Sequence, residues 1–354
     1  MEKSNKVRVL HILWSFGNGG MENIVKNMII NETSTTNSFL VIINNDIDMN
    51  ALNKISSNKI YKVNRKRRSW NFLKIIKLFW VIVNVKPHIL HLHYYNLIKL
   101  IKPLQYFLSF KIIATIHGMN DFNKSIEKAD KIVAVSNTHL EYIIKKCKSE
   151  NILHQNLHMI YNGINIPEIR NNKLELNPPL KIFVVGRLNH LQKKQDFIID
   201  SFSKFLKDGN VALLSFFGSG SSEAYLKNKC KELEIYDKVT FEGSVENRNL
   251  LERIKNYDVM ISASENETFG INIIESLALG IPVISYPAPT LIEITKGNPL
   301  AIFYKDKEHL ISLLKKLPAN INKESVLKSQ KIIKNNYSIE KMIENYREIY
   351  LEIK

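Results

Sequence analysis

Short apolar runs alternate with longer stretches whose apolar positions recur at helical spacing, the arrangement that βαβ units and parallel sheets produce. In the first half the runs are VRVLHIL (7–13), FLVII (39–43), KIYKV (59–63), HILHL (88–92), KIIATI (111–116), KIVAV (131–135) and HMIYN (158–162). The pattern fails over NIPEIRNNKLELNPP (165–179), where three prolines sit among scattered polar residues. It resumes with KIFVVG (181–186), VALLSFFG (211–218), KVTFEG (238–243), DVMISAS (258–264) and IPVIS (281–285). SIEKMIENYREIYLEIK (338–354) repeats apolar residues at helical spacing and predicts one terminal helix.

These elements predict two doubly wound α/β domains, at 1–165 and 180–336, joined by a linker over 166–179. Residues 337–354 are expected to form a helix packing back on the first domain. Open parallel sheets bind ligands at the carboxyl ends of their strands, so two of them facing each other would frame a cleft.

Hydrophobic residues make up 45% and charged residues 24% of the 354, which excludes disorder; Gly (13) and Pro (10) are too few for a fibrous chain. Cys147 and Cys230 have no CxxC partner, which excludes a disulfide scaffold and points to a reducing compartment. Arg8 interrupts the first apolar stretch and no small-residue cleavage site follows, so it reads as a strand, not a signal peptide. Lys74, Lys77, Lys99, Lys102 and Pro103 break up the most hydrophobic region, short of the ~20 apolar residues a spanning helix needs. A cytoplasmic protein is expected.

Charge changes the picture of the first half. The net charge is +16, and 13 basic residues lie between Asp48 and Asp121 without one acidic residue. NRKRRSWNFLKIIKLFWVIV (64–83) and YYNLIKLIKPLQYFLSF (94–110) interleave lysines with bulky apolar and aromatic residues; Arg67, Trp70, Lys74 and Lys77 share one helical face. This suits an anionic membrane surface. The plainer alternative packs the apolar residues on the sheet and leaves the lysines solvated. A nucleic-acid partner is not expected, because no recognition motif accompanies the charge.

Candidate chemistry concentrates in SENETFGINIIESLALGIPVIS (264–285). Glu267 and Glu275 lie eight apart, with Phe269 and Gly270 between a strand end and a helix start. The amides of a first helical turn suit a phosphate, and carboxylates accept hydrogen bonds from sugar hydroxyls. By themselves, two glutamates read more simply as surface residues. GNGG (17–20) could form a backbone nest for a diphosphate or a plain strand-to-helix turn. Arg187 and Lys193 could together neutralise a leaving diphosphate, or be solvated. His117 ends a strand where a site loop would begin. His91 and His93 share a strand face without an apparent third metal ligand, and strand packing is the simpler reading. Asp46-Ile47-Asp48 has the form of a metal-binding DxD, but lies far from any donor motif and reads as a solvent loop.

ETFGINIIE followed by ALGIPVI resembles the E-x7-E signature of the family 4 glycosyltransferases, whose fold is the two-domain GT-B arrangement. The resemblance runs along the chain in order: GGMEN (19–23), ATIHG (114–118), ADKIVAVSN (129–137), YNGIN (161–165), VVGRL (184–188) and FFGSGS (216–221). It implies a retaining, metal-independent transferase that moves a sugar from a nucleotide-diphosphate donor, a UDP-sugar, to a membrane-associated glycan in cell-surface polysaccharide biosynthesis. It also implies donor contacts from Gly19, Gly20, Arg187, Lys193, Ser244, Val245, Glu267, Thr268, Phe269, Gly270, Ile271 and Glu275. Catalytic positions fall on His117, Arg187, Lys193 and Glu267. The family spacing favours Lys193 over Lys194. A nucleotide-sugar epimerase of the same fold and a non-catalytic partner subunit are the alternatives; the four retained motif residues Arg187, Lys193, Glu267 and Glu275 speak against the second.

Overall fold

The computed structural model describes residues 6–67, 72–94, 96–119, 123–152, 156–169, 178–317 and 321–354. They form two compact units: Met1–Gly163 with Ile339–Lys354, and Ile164–Ser338.

The first unit holds seven strands: β1 (Val7–Leu13), β2 (Thr36–Asn44), β3 (Ile60–Arg65), β4 (Ile89–Leu92), β5 (Lys111–Ile116), β6 (Lys131–Ala134) and β7 (Leu157–Met159). All run parallel in the order β3-β2-β1-β4-β5-β6-β7, so the winding reverses between β1 and β4. Central strands buried on both faces read as continuous apolar runs. Leu10, Ile12, Val41, Leu90, Leu92 and Ile112 fill one core, under a helix (Phe72–Val85) that buries Leu78, Val81 and Ile82.

The opposite face breaks the rule. His11 on β1 stands beside His91 on β4, and Thr115 on β5 joins them, all buried. A helix over Ile339–Ile353 supplies their partners: Tyr350 Oη lies 2.7 Å from His91 Nδ1, and Tyr346 Oη 2.9 Å from Thr115 Oγ1. Lys131 Nζ on Glu352 at 2.6 Å and Arg347 Nε on Thr35 Oγ1 at 3.0 Å complete the attachment.

The second unit has β8 (Leu180–Val185), β9 (Ala212–Phe217), β10 (Val239–Gly243), β11 (Val259–Ser262), β12 (Val283–Ser285) and β13 (Ala301–Phe303), in the order β10-β9-β8-β11-β12-β13. The apolar pattern locates every strand but β13, whose three residues at the sheet edge are too few to stand out. Both parallel sheets bear out the doubly wound α/β expectation. Much of the predicted linker, residues 170–177, lies outside the described residues; Pro167 already belongs to the second unit, its carbonyl accepting from Gln330 at 3.0 Å. Both cysteines are buried and free. Among the described residues, no helix is long and apolar enough to cross a membrane.

Candidate functional site

In the second unit, backbone contacts lock the loops at the carboxyl ends of β8, β9 and β10 together. Gly186 N donates to Phe217 O at 2.9 Å, Leu188 N to Ser219 O at 3.0 Å, and Gly218 N to Gly243 O at 2.7 Å. Gly218 has φ +137°, and a Cβ on it would strike the Gly186 carbonyl, so the approach requires glycine. Arg187 leaves this junction with an exposed side chain that meets no acidic partner among the described residues.

Lys193 lies outside the long helix that follows β8. It ends a four-residue helix, His190–Lys193, capped by the Asn189 side chain. Lys194 then takes the left-handed conformation (φ 51°) that opens the helix Gln195–Lys207. The Lys193 ammonium pairs with the Glu267 carboxylate and lies 3.5 Å from Ser264 Oγ. Arg187 and Glu267 thus come from separate strand ends, with Lys193 held on the carboxylate. A partly exposed pair of this kind is worth about 1 kcal/mol or less, so a phosphate can compete for the ammonium.

Gly270 caps the helix Ile271–Ala278 at φ 84°, with Leu291, Ile273 and Ile294 where a side chain would stand. Phe269 is buried and meets Tyr337 edge-on at 5.6 Å. Thr268 is half-buried, and Ile271 starts the helix. Glu275 is buried one turn on and accepts a 2.7 Å hydrogen bond from Asn247 Nδ2. Burial pushes its carboxyl up to about 7, opposed in part by that bond. Ser244 is exposed and Val245 half-buried in the loop between β10 and the helix Asn247–Ile254, so the Asn247 bond ties this loop to the glutamate helix. Asn272 Nδ2 donates to Val185 O at 2.7 Å and fixes the same helix to β8. Neither asparagine stood out in the sequence, because an Asn next to a motif carries no periodic or spacing signal.

In the first unit Gly19 caps the helix Gly20–Ile30 without a side-chain bond, close against Glu22. The Asp46–Asp48 segment is not remote from this loop, contrary to the sequence reading. Phe16 and Ile47 form a bridge, and Asp48 Oδ2 accepts from Asn18 Nδ2 at 2.7 Å while Oδ1 accepts from Asn50 N at 2.9 Å. One Asp48 oxygen thus ties the segment to the glycine loop and the other caps the segment's own turn.

His117 follows β5 and is partly exposed. Its Nε2 lies 3.1 Å from His93 Nδ1, and His93 Nε2 lies 3.1 Å from His11 Nδ1. His11 is the third imidazole that the spacing of His91 and His93 did not disclose; its partner is 82 residues away. Nitrogens of His11, His91 and His93 lie within 4.8 Å of one another, close enough in principle for a metal ion. Their hydrogen bonding does not suit one. His93 already spends both nitrogens on neighbouring rings, Nε2 on His11 and Nδ1 on His117, each at 3.1 Å, which leaves it no lone pair for a cation. Both nitrogens of His91 are already on hydroxyls, Tyr350 and Thr115.

The family model "Glycosyl transferases group 1" matches residues 165–342, and "Glycosyltransferase Family 4" matches residues 42–167. An uncharacterized glycosyltransferase of Methanocaldococcus jannaschii is 30% identical over 204 residues, 54% of this chain and 50% of that protein. The alpha-monoglucosyldiacylglycerol synthase of Streptococcus pneumoniae is 28% identical over 190 residues, 53% of this chain and 42% of that protein. The matched stretches therefore span about half the length of these relatives. Among solved structures, Anabaena HepE in complex with UDP and glucose superposes with a TM-score of 0.74 at 14% identity, covering 98% of this chain and 100% of that one. Two parallel-sheet units, the locked glycine loops and the E-x7-E helix accord with these matches, and the chain belongs to the glycosyl transferases group 1 family, with the GT-B fold.

Proposed function

We propose that this glycosyltransferase acts with retention, moving a sugar from a UDP-sugar to a membrane-associated glycan in polysaccharide or glycolipid biosynthesis, at the cytoplasmic face of the membrane. The observation that carries the reading is the convergence in the second unit of Arg187, the Lys193–Glu267 pair and the buried Glu275 around one set of strand ends. Arg187 and Lys193 would neutralise the departing diphosphate, whose oxygen takes the acceptor's proton as the acceptor attacks from the same face. Such a transition state needs stabilisation of leaving-group charge above all, which explains why no separate general base is required. Two cations at that place supply the charge a metal ion would bring, so we read the reaction as metal-independent. Glu275 would accept from ribose hydroxyls, with Ser244 and Val245 beside the base. HepE was solved with UDP and glucose, and the pneumococcal relative is named for a glycolipid product; both favour the proposed substrates.

Screening nucleotide sugars for thermal stabilisation should single out UDP-sugars, because a ligand of the native state raises stability by mass action. Transfer with the best donor should fall at least about a hundredfold in Arg187→Ala, at unchanged thermal stability, and be indifferent to chelator. Stabilisation by none of the donors, or full activity of Arg187→Ala, would sink the assignment.

A further inference from the structure

We propose that His11 and His93 are positioning residues for His117: the three imidazoles form one chain whose proton arrangement is set at His11 and places the His117 proton on Nδ1. The proposal rests on the reading of His117 as a residue of the reacting site.

A neutral imidazole carries one N–H and one bare nitrogen. The contacts His11 Nδ1 to His93 Nε2 and His93 Nδ1 to His117 Nε2, both 3.1 Å, therefore need one donor and one acceptor each. Only two arrangements satisfy both contacts. In the first, His11 Nδ1–H donates to His93, His93 Nδ1–H donates to His117, and His117 keeps its proton on Nδ1. In the second every proton shifts: His117 donates from Nε2, and the His11 proton sits on His11 Nε2.

The far end of the chain decides between them. His11 Nε2 is fully buried and has no hydrogen-bond partner among the described residues. His11 lines a small pocket under the C-terminal helix with Thr36, Ser38, Tyr346, Arg347 and Tyr350. None of the hydroxyls lining that pocket lies within hydrogen-bonding distance of His11 Nε2, and a buried N–H left without an acceptor is the rarer defect in proteins. A bare Nε2 on His11, able to accept from a water in that pocket, is therefore the favoured end state, and it fixes the first arrangement. Burial keeps the rings neutral: His11 and His117 are both lowered to about 3, and His93 is lowered well below its ordinary value. No protonated ring interrupts the chain near neutral pH.

Ring-nitrogen NMR of 15N-histidine-labelled protein reports the tautomer directly. The wild-type protein should show His117 protonated on Nδ1 alone. His11→Phe, which keeps a ring but removes the donor, should give His117 a mixed tautomer and lower kcat about tenfold with UDP affinity unchanged. His11→Asn places an amide N–H near the Nδ1 position and should restore both. A wild-type His117 protonated on Nε2, or an unchanged tautomer in His11→Phe, overturns the proposal, and the wild-type spectrum decides even where a variant does not fold. Full transfer by His117→Ala would instead overturn the reading of His117 as a site residue, whatever the spectra show.

Discussion

At the scale of single residues, Glu275 stores a measurable conflict. Its carboxyl is pushed up to about 7 by burial, against an ordinary value near 4.5. The folded protein thus binds a proton that the unfolded chain releases between those pH values. The native state is relieved of the burial penalty below about pH 4.5 and carries it in full above about pH 7, to the order of 3 kcal/mol. Glu275→Gln should therefore stabilise the ligand-free second unit at pH 8 and leave it unchanged at pH 4.5, as measured by urea unfolding. Equal effects at both pH values would show that the carboxylate is not desolvated. This residue was legible in the sequence because its spacing from Glu267 and the intervening glycine form a contiguous signature. Asn247, Asn272, Asp48 and His11 were not, since their partners lie between 28 and 87 residues away and nothing local marks them.

The helix Phe72–Val85 poses the question of the elements. Its inner face is settled: Leu78, Val81, Ile82 and Val85 are buried against the sheet. Its outer face is also apolar, with Leu73 72%, Ile76 46% and Trp80 58% exposed at i, i+3 and i+7, next to exposed Lys77. Tyr106 and Phe107, 87% and 80% exposed, extend the apolar surface of the same unit. Trp70, which the helical spacing sets on one face with Arg67, Lys74 and Lys77, lies outside the described residues. Solvated lysines on an otherwise packed helix account for the basic residues but not for an exposed Trp80 beside Leu73. Cosedimentation should show the protein binding anionic vesicles and not neutral ones, with binding weakened by salt and by Ile76→Ser with Trp80→Ser. Equal binding to both vesicle types would count against attachment by charge and insertion together. The apolar period located this helix correctly, yet a period alone does not say whether both faces are covered.

Over the whole molecule, the two units carry opposite responses to acid. His11, His117 and His139 are lowered by burial to about 3, 3 and 4, and His91 and His93 well below 6.5. Their unfolded forms bind protons below about pH 6.5 that the folded ones refuse, so the first unit has its full stability above that pH and loses it as pH falls. Its urea midpoint, followed by limited proteolysis and mass spectrometry, should drop between pH 6.5 and 4.5 with uptake of more than one proton. A midpoint that does not move would mean that the histidine face is hydrated. The two-sheet architecture itself was written in the alternating pattern. The polar lining of one sheet face was not, because histidine in an apolar strand looks alike whether it meets solvent or three other rings.

The helix Ile339–Ile353 belongs to the first unit although the whole second unit precedes it in the chain. It buries Ile339, Met342, Tyr346, Ile349 and Tyr350, at about 1.5–3 kcal/mol each before the entropy cost of ordering the helix. During synthesis the second unit is therefore ready to fold first, while the first seven strands wait. Their histidine face stays open until the helix Ile339–Ile353 has been made and has cleared the ribosome. The half of the protein made earliest is the half finished last.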